Sequence, residues 1–144
     1  RPSSCFPPAS CRGLDVVAVD LLPGPSEVLI LADKSGDPVC IAADILAQAE
    51  HGKDSQAGFI TDDAALLEAV LAEVQRQAET LSRQDMLRPV LEKGVFLILA
   101  PSLEEGAELV NQYAPEHLSL ITEREGQLLP CIRTAGAILL GNNS

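Results

Sequence analysis

Two kinds of apolar pattern take turns along this chain. Val16–Val19, Glu27–Ala32, Ala57–Thr61, Val95–Leu99 and Ala137–Leu140 are short apolar runs of strand length. Between them, apolar residues recur every three or four positions. Pro38–Glu50 (PVCIAADILAQAE) has this helical spacing, with Pro38 at a first-turn position that tolerates proline. Asp62–Thr80 reads as an amphipathic helix. Leu66, Ala69, Val70, Glu73, Val74 and Gln77 follow its period, Glu68, Glu73 and Arg76 mark its polar face, and Thr61 or Asp62 caps its start. A further helical piece covers Gln84–Glu92, Ser102–Gln112 opens with a Ser-x-x-Glu capping box, and another helix falls near Glu125–Arg133. Strand and helix therefore alternate, which predicts an α/β domain: a parallel or mostly parallel sheet with helices on both faces.

Composition narrows the function classes. With 144 residues, 47% of them hydrophobic, the chain is one domain by size and large enough to bury a core. No apolar run approaches the roughly 20 residues that span a bilayer, and the N-terminus lacks the basic start and apolar core of a secretory signal, so a cytoplasmic setting without a membrane is expected. The formal net charge of −11, with ten scattered Lys and Arg, repels a phosphate backbone and argues against a nucleic-acid partner. Cys5 and Cys11 lie in a Pro/Ser-rich tail, while Cys40 and Cys131 stand alone. This is neither a disulfide framework nor a C-x-x-C metal site, and all four read as free thiols. Cys40 and Cys131 fall on predicted helices, where core packing is expected of them.

Ligands of parallel sheets gather at the carboxyl ends of the strands, so the connecting loops hold the candidate chemistry. Two loops stand out, and they contain both histidines of the chain. In QAEHGKDSQ (residues 48–56), Gln48 and His51 share a face of the last helical turn before Gly52. A helix C-terminus carries partial negative charge and suits a cation held by an imidazole nitrogen and an amide oxygen; a histidine that merely caps the helix fits the same residues. In NQYAPEHLSL (residues 111–120), Pro115 ends the preceding helix, and Glu116 and His117 follow in an extended setting between Tyr113 and the apolar Leu118 and Leu120. Partial desolvation by such neighbours raises a glutamate's pKa and makes the two an acid/base pair, against the simpler alternative of an exposed polar loop. Gly24-Pro25-Ser26, just before the strand Glu27–Ala32, makes either a plain turn or a turn that presents the Ser26 hydroxyl at a pocket wall.

LLPGPSEVLILAD, DILAQAEHGKDSQ, NQYAPEHLSL and AGAILLG, in this order and spacing, closely resemble the histidinol dehydrogenase family, which carries out the last two steps of histidine biosynthesis. The resemblance covers roughly Val16–Gly141, and its longer strings are far more specific than a short glycine pattern. It implies a zinc-dependent enzyme that oxidises L-histidinol through L-histidinaldehyde to L-histidine and reduces two NAD in succession. It also implies a Rossmann-like fold related to aldehyde dehydrogenases, incomplete in this chain, and a homodimer for the full-length family. By the same resemblance Ser26 contacts the substrate, Gln48 and His51 are zinc ligands that also face the substrate, and Glu116 and His117 bind it and serve as the acid/base residues. No NAD-contacting residue is assigned.

The departures shape the expectation too. Family members are much longer; the half that carries most NAD contacts, a Gly-Asp-Tyr segment whose Asp ligates zinc, and a later His ligand from the partner subunit have no counterpart here. Residues 1–12 (RPSSCFPPASCR) resemble nothing in the family and read as a disordered tail, with residues 13–144 as part of the catalytic domain. The alternative to an enzyme segment is a catalytically inactive fragment that persists as a folded or dimerising module.

Overall fold

The computed structural model describes residues 26–52, 54–81 and 84–141, with backbone alone for 84–87. The expected strand Val16–Val19, the tail 1–12 and the Gly24-Pro25 part of the turn lie outside these residues. Within them the element order is β1 (Glu27–Ala32), α1 (Pro38–Glu50), β2 (Gln56–Thr61), α2 (Ala64–Ala78), α3 (Gln84–Lys93), β3 (Val95–Leu99), α4 (Leu103–Tyr113), β4 (His117–Ile121), α5 (Glu125–Leu128) and β5 (Ala137–Leu140). The five strands form one sheet in the order β3-β2-β1-β4-β5, and every pairing is parallel. This is the α/β layering that the alternating periods predict.

β4 corrects one expectation. Glu116 sits in the loop as expected, but His117 does not: it begins a strand paired on both sides, with β1 and with β5. The alternation His-Leu-Ser-Leu-Ile is itself strand-like, but the preceding proline and the polar Glu-His pair conceal it.

Side-chain alternation sends each strand's residues to two cores. Ile30, Ala32, Phe59 and Ile121 meet Ile41, Ile45 and Leu46 of α1 and Leu66, Val70 and Val74 of α2 on one face. Leu29, Leu31, Ile60, Leu118 and Leu120 meet Leu103, Ala107 and Val110 of α4 and Leu128 of α5 on the other. Burial on both faces explains why the strands are near-continuous apolar runs. α4 lies especially close to the sheet: a methyl group at Gly106 would stand 2.8 Å from the Leu31 side chain.

Helix starts are capped by short polar side chains. Asp37 accepts the Val39 N–H at 2.9 Å ahead of Pro38, and Ser102 accepts the Glu105 N–H at 3.2 Å. The cap of α2 is Asp63, which accepts the Leu66 N–H at 2.7 Å, rather than Thr61 or Asp62; Thr61 instead accepts the Asp63 N–H and turns the chain toward the helix. The helix expected near Glu125–Arg133 is only one α-turn, continued as a 3-10 turn over Leu129–Cys131 where Pro130 interrupts it.

The cysteines are free but not packed as expected. Cys40 and Cys131 are both exposed. Cys40 falls on the outer side of α1, since Ile41, Ala42, Ile45, Leu46 and Ala49 take the inner one, and its thiol approaches Asp37 Oδ2 at 3.6 Å. The Asp37 charge beside it raises its pKa.

At the carboxyl edge of the sheet, Asp33 ties β1 to β4. Its N–H donates to the Ile121 carbonyl at 3.1 Å, and its Oδ2 accepts from the Thr122 hydroxyl at 2.6 Å and the Glu123 N–H at 3.2 Å. Oδ1 takes the Ser35 N–H at 2.9 Å. Burial raises the Asp33 pKa, but these hydrogen bonds outweigh it and hold the group below its ordinary value of 3.8. A depressed pKa means that this stabilisation is fully present above the ordinary value and is lost as pH falls through the folded one. Asp33→Asn is therefore expected to lower stability at pH 7 by about 1.5–3 kcal/mol, the range for hydrogen bonds to a charged group, and to flatten the loss of stability below about pH 4. Urea unfolding of both chains at pH 7 and pH 3 checks this; an equal difference at the two pH values contradicts it.

Candidate active site

Every residue singled out in the sequence lies at the amino edge of the sheet, opposite the carboxyl edge where ligands were expected. The reason is connectivity. QAEHGKDSQ leaves α1 to enter β2 and NQYAPEHLSL leaves α4 to enter β4, so both are helix-to-strand loops and meet the sheet where strands begin. Ser26 likewise precedes β1.

Register brings these starts together. Glu27 of β1 stands opposite Gln56 of β2, and Val28 stands opposite His117 of β4. β1 is thus flanked by both candidate loops, and Ser26 is tied to the first through its carbonyl, which accepts the Gln56 N–H at 3.2 Å. Because Ile121 packs in the α1–α2 core, alternation along β4 puts Ser119 and His117 on that same face. The last turn of α1, which carries Gln48 and His51, covers this face as well.

Gln48 and His51 differ in exposure. His51 is exposed and is the C-cap of α1, its backbone N–H donating to the Gln48 carbonyl at 3.1 Å. The capping contact is made by the backbone, which leaves the imidazole for other partners. Gln48 is buried, and its Nε2 has no hydrogen-bond partner. An unsatisfied buried amide costs about 1–3 kcal/mol, and a flip of the group would present its carbonyl oxygen at the same place. An amide oxygen and an imidazole nitrogen on adjacent turns fit two ligands of a zinc ion. Among the described residues no cluster of three or more His, Cys, Asp or Glu side chains could hold a metal, whereas a closed zinc site takes about four ligands.

Glu116 and His117 face each other loosely, with Nδ1 of His117 3.9 Å from Glu116 Oε2. Their side chains remain 42% and 45% exposed, so the apolar neighbours do not desolvate them: Leu118 and Leu120 point into the α4 core instead. The backbone around them is tightly held. Ala114 closes α4 in the left-handed region at φ 57°, an unusual conformation for alanine, and redirects the chain into Pro115 and Glu116. Gly136 N–H donates to the Pro115 carbonyl at 3.0 Å and Ala137 N–H to the Glu116 carbonyl at 2.8 Å.

Sequence reasoning missed two residues here, Glu27 and Gly136. Glu27 accepts the Glu116 N–H at 2.9 Å, and Tyr113 donates its hydroxyl to Gln56 Oε1 at 2.7 Å. A glutamate as the first residue of an otherwise apolar strand was the available signal. Gly136 is the other: a Cβ there would stand 2.8 Å from the Glu116 carbonyl oxygen.

Comparison with known proteins agrees with the fold. A family model described as histidinol dehydrogenase matches residues 10–144. A histidinol dehydrogenase of Rhizobium meliloti is 42% identical over 144 residues, 99% of this chain and 33% of the relative. One from Thermus thermophilus is 48% identical over 128 residues, 89% of this chain and 31% of the relative. A crystal structure of histidinol dehydrogenase from Elizabethkingia anophelis superposes with a TM-score of 0.81 at 41% identity, covering 89% of this chain and 29% of that one. The chain spans about a third of the length of these relatives.

The close approach at Gly136 yields a stability prediction. Gly136→Ala has to displace backbone rather than a flexible side chain, and overpacking of this kind costs about 1–3 kcal/mol. Thermal unfolding of the two chains measures it; an unchanged melting temperature means that β5 does not press on Glu116 as described.

Proposed function

The chain belongs to the histidinol dehydrogenase family, and we propose that it forms the substrate- and metal-facing third of an enzyme that oxidises L-histidinol to L-histidine through L-histidinaldehyde with two NAD. The observation that supports this reading is the convergence of Ser26, Gln48, His51, Glu116 and His117 around the amino end of β1, from loops far apart in sequence. Gln48 and His51 would hold part of a zinc site, and the metal there would supply Lewis-acid anchoring of a small polar substrate. NAD would supply the hydride acceptor.

The remaining chemistry belongs to side chains of this chain. His117 takes the hydroxyl proton as hydride departs from the alcohol carbon, and the product is the aldehyde. Glu116 then takes a proton from the water that adds to the aldehyde carbon, giving a hydrate whose hydride and proton leave in the second oxidation. Ser26 donates or accepts one hydrogen bond to the small polar substrate. The 3.9 Å spacing of Glu116 and His117 suits two groups that act on the same carbon in successive steps rather than on each other. Ligands from elsewhere in the enzyme, including a partner subunit in a homodimer, complete the zinc site.

A second reading, a folded or dimerising module without activity, draws on the exposed Leu139 and Leu140 of the edge strand β5. A full-length chimera in which this segment replaces the matching third of the Thermus thermophilus relative separates the two. Oxidation of histidinol by the chimera supports the enzyme; a folded, zinc-loaded chimera without activity supports the module.

Three outcomes test the assigned roles. His117→Asn in the chimera is expected to slow both oxidations about 10²- to 10⁴-fold, and Glu116→Gln to weigh more on histidinaldehyde than on histidinol. Equal rates of Glu116→Gln and its parent on the aldehyde remove Glu116 from the mechanism. Ser26→Ala is expected to weaken histidinol binding by about 0.5–1.5 kcal/mol with an unchanged melting temperature, whereas a pure turn residue shifts the melting temperature and leaves KM alone. The 144-residue chain by itself should bind zinc only weakly, as half a ligand set must. Tight stoichiometric binding in titration calorimetry, abolished by His51→Ala, overturns that.

A further inference from the structure

Glu27 has no part in the chemistry above, yet among the described residues it is the one side chain hydrogen-bonded to the Glu116 backbone. It opens β1 beside Ser26, half-buried, and its two oxygens divide their contacts. Oε1 accepts the Glu116 N–H at 2.9 Å, and Oε2 lies 3.4 Å from the Tyr113 hydroxyl. That hydroxyl donates to Gln56 Oε1 at 2.7 Å, so β1, β2 and the end of α4 meet at one tyrosine hydroxyl. The Tyr113 ring is fixed in turn against Phe96 of β3, with centroids 5.5 Å apart. Burial first, and then the Glu27 charge, raise the Tyr113 pKa and keep its hydroxyl a donor.

The contact stands in for a missing backbone partner. The Ser26 carbonyl is turned toward β2, where it accepts the Gln56 N–H, so at this level β1 offers β4 a carboxylate. Glu116 is then gripped from two sides: its N–H by Glu27 on β1, and its carbonyl by the Ala137 N–H on β5 at 2.8 Å. A hydrogen bond to an ionised acceptor is about twice as strong as a neutral one. Glu27 thus holds the peptide that leads into Glu116, and Ala137 the one that joins Glu116 to His117.

We propose that Glu27 is a positioning residue for the Glu116–His117 pair, holding the Glu116 backbone through its N–H without touching substrate. The proposal rests on the roles given to Glu116 and His117 above. Displacement of a reacting group by about 1 Å can cost on the order of 100-fold in rate, so the loss on breaking the grip should appear in kcat.

Two measurements test it. In the 144-residue chain, amide hydrogen exchange read by NMR should be roughly tenfold faster at Glu116 in Glu27→Ala, with the Leu118 and Ile30 amides unchanged, and close to the parent in Glu27→Gln, whose side-chain oxygen still accepts. In the chimera, Glu27→Ala should lower kcat about 10- to 100-fold with KM and zinc content nearly constant, and Glu27→Gln should restore kcat to within a few fold. Glu27→Met, similar in length but without the strong acceptor, takes the place of the alanine variant if that one does not fold. Unchanged exchange at Glu116 in Glu27→Ala overturns the contact. Equal kcat losses in Glu27→Gln and Glu27→Ala overturn positioning through the hydrogen bond, and a rise in KM alone makes Glu27 a substrate contact. An inactive parent chimera sinks the enzyme reading, while the exchange result still decides whether Glu27 holds Glu116.

Discussion

The in-register parallel pairing of β1 with both β2 and β4 is the constraint from which the rest of the molecule follows. Leu29, Ile30, Leu31 and Ala32 are fully buried, so β1 cannot slip by a residue without exchanging its two apolar faces. With β1 fixed, Gln56 is fixed opposite Glu27 and His117 opposite Val28. The loops that enter β2 and β4 then have to end at the same level. The convergence of Ser26, the α1 terminus and Glu116-His117 is a product of core packing several residues away, since none of these polar groups supplies enough energy to set the register.

The two edges of the sheet are finished differently. At the carboxyl edge the side chains are satisfied within the chain: Asp33 accepts from Ser35, Thr122 and Glu123, and Asp37, Asp63 and Ser102 occupy the first amides of α1, α2 and α4. The anion-attracting helix N-termini there are met by the protein's own oxygens. At the amino edge, by contrast, Gln48 Nε2 is buried without a partner and His51, Glu116 and His117 reach solvent. Unsatisfied polar groups are rare in protein interiors, and the one found among the described residues, Gln48 Nε2, lies toward this edge.

Much of this was legible in the chain. The strands Glu27–Ala32 and Val95–Leu99 and the helix Pro38–Glu50 match their apolar runs residue for residue, because burial on both faces leaves a continuous apolar string and burial on one leaves a helical stripe. His117–Ile121 was harder: a central strand announces itself by apolar residues, and this one begins with a histidine left exposed at the edge. Which edge carried the site was also hidden, since a loop's sequence does not say whether it leads into a strand or away from one until both flanking elements are placed. Cys40 illustrates the same limit on a smaller scale, because helical spacing was read for the segment but not resolved to which positions turn outward. Glu27 and Gly136 were invisible for a different reason. Their partners, the Glu116 amide and carbonyl, are backbone atoms 89 and 20 positions away, and no side-chain pattern marks a backbone contact at that separation.

The electrostatics of the open edge follow from the same topology. In a parallel sheet with helical crossovers, the strands' amino ends sit beside the helices' carboxyl ends, and here α1 and α4 both finish at this edge. Each helix terminus brings a partial negative charge of about half an electron, and Glu27 and Glu116 add two carboxylates beside it. The formal net charge of −11 makes the chain as a whole acidic as well. A cation or an ammonium-bearing substrate gains from every one of these terms, and an anion loses. The parallel topology thus sets the sign of the potential at this edge before any individual side chain does, and the Glu27 and Glu116 carboxylates add to it.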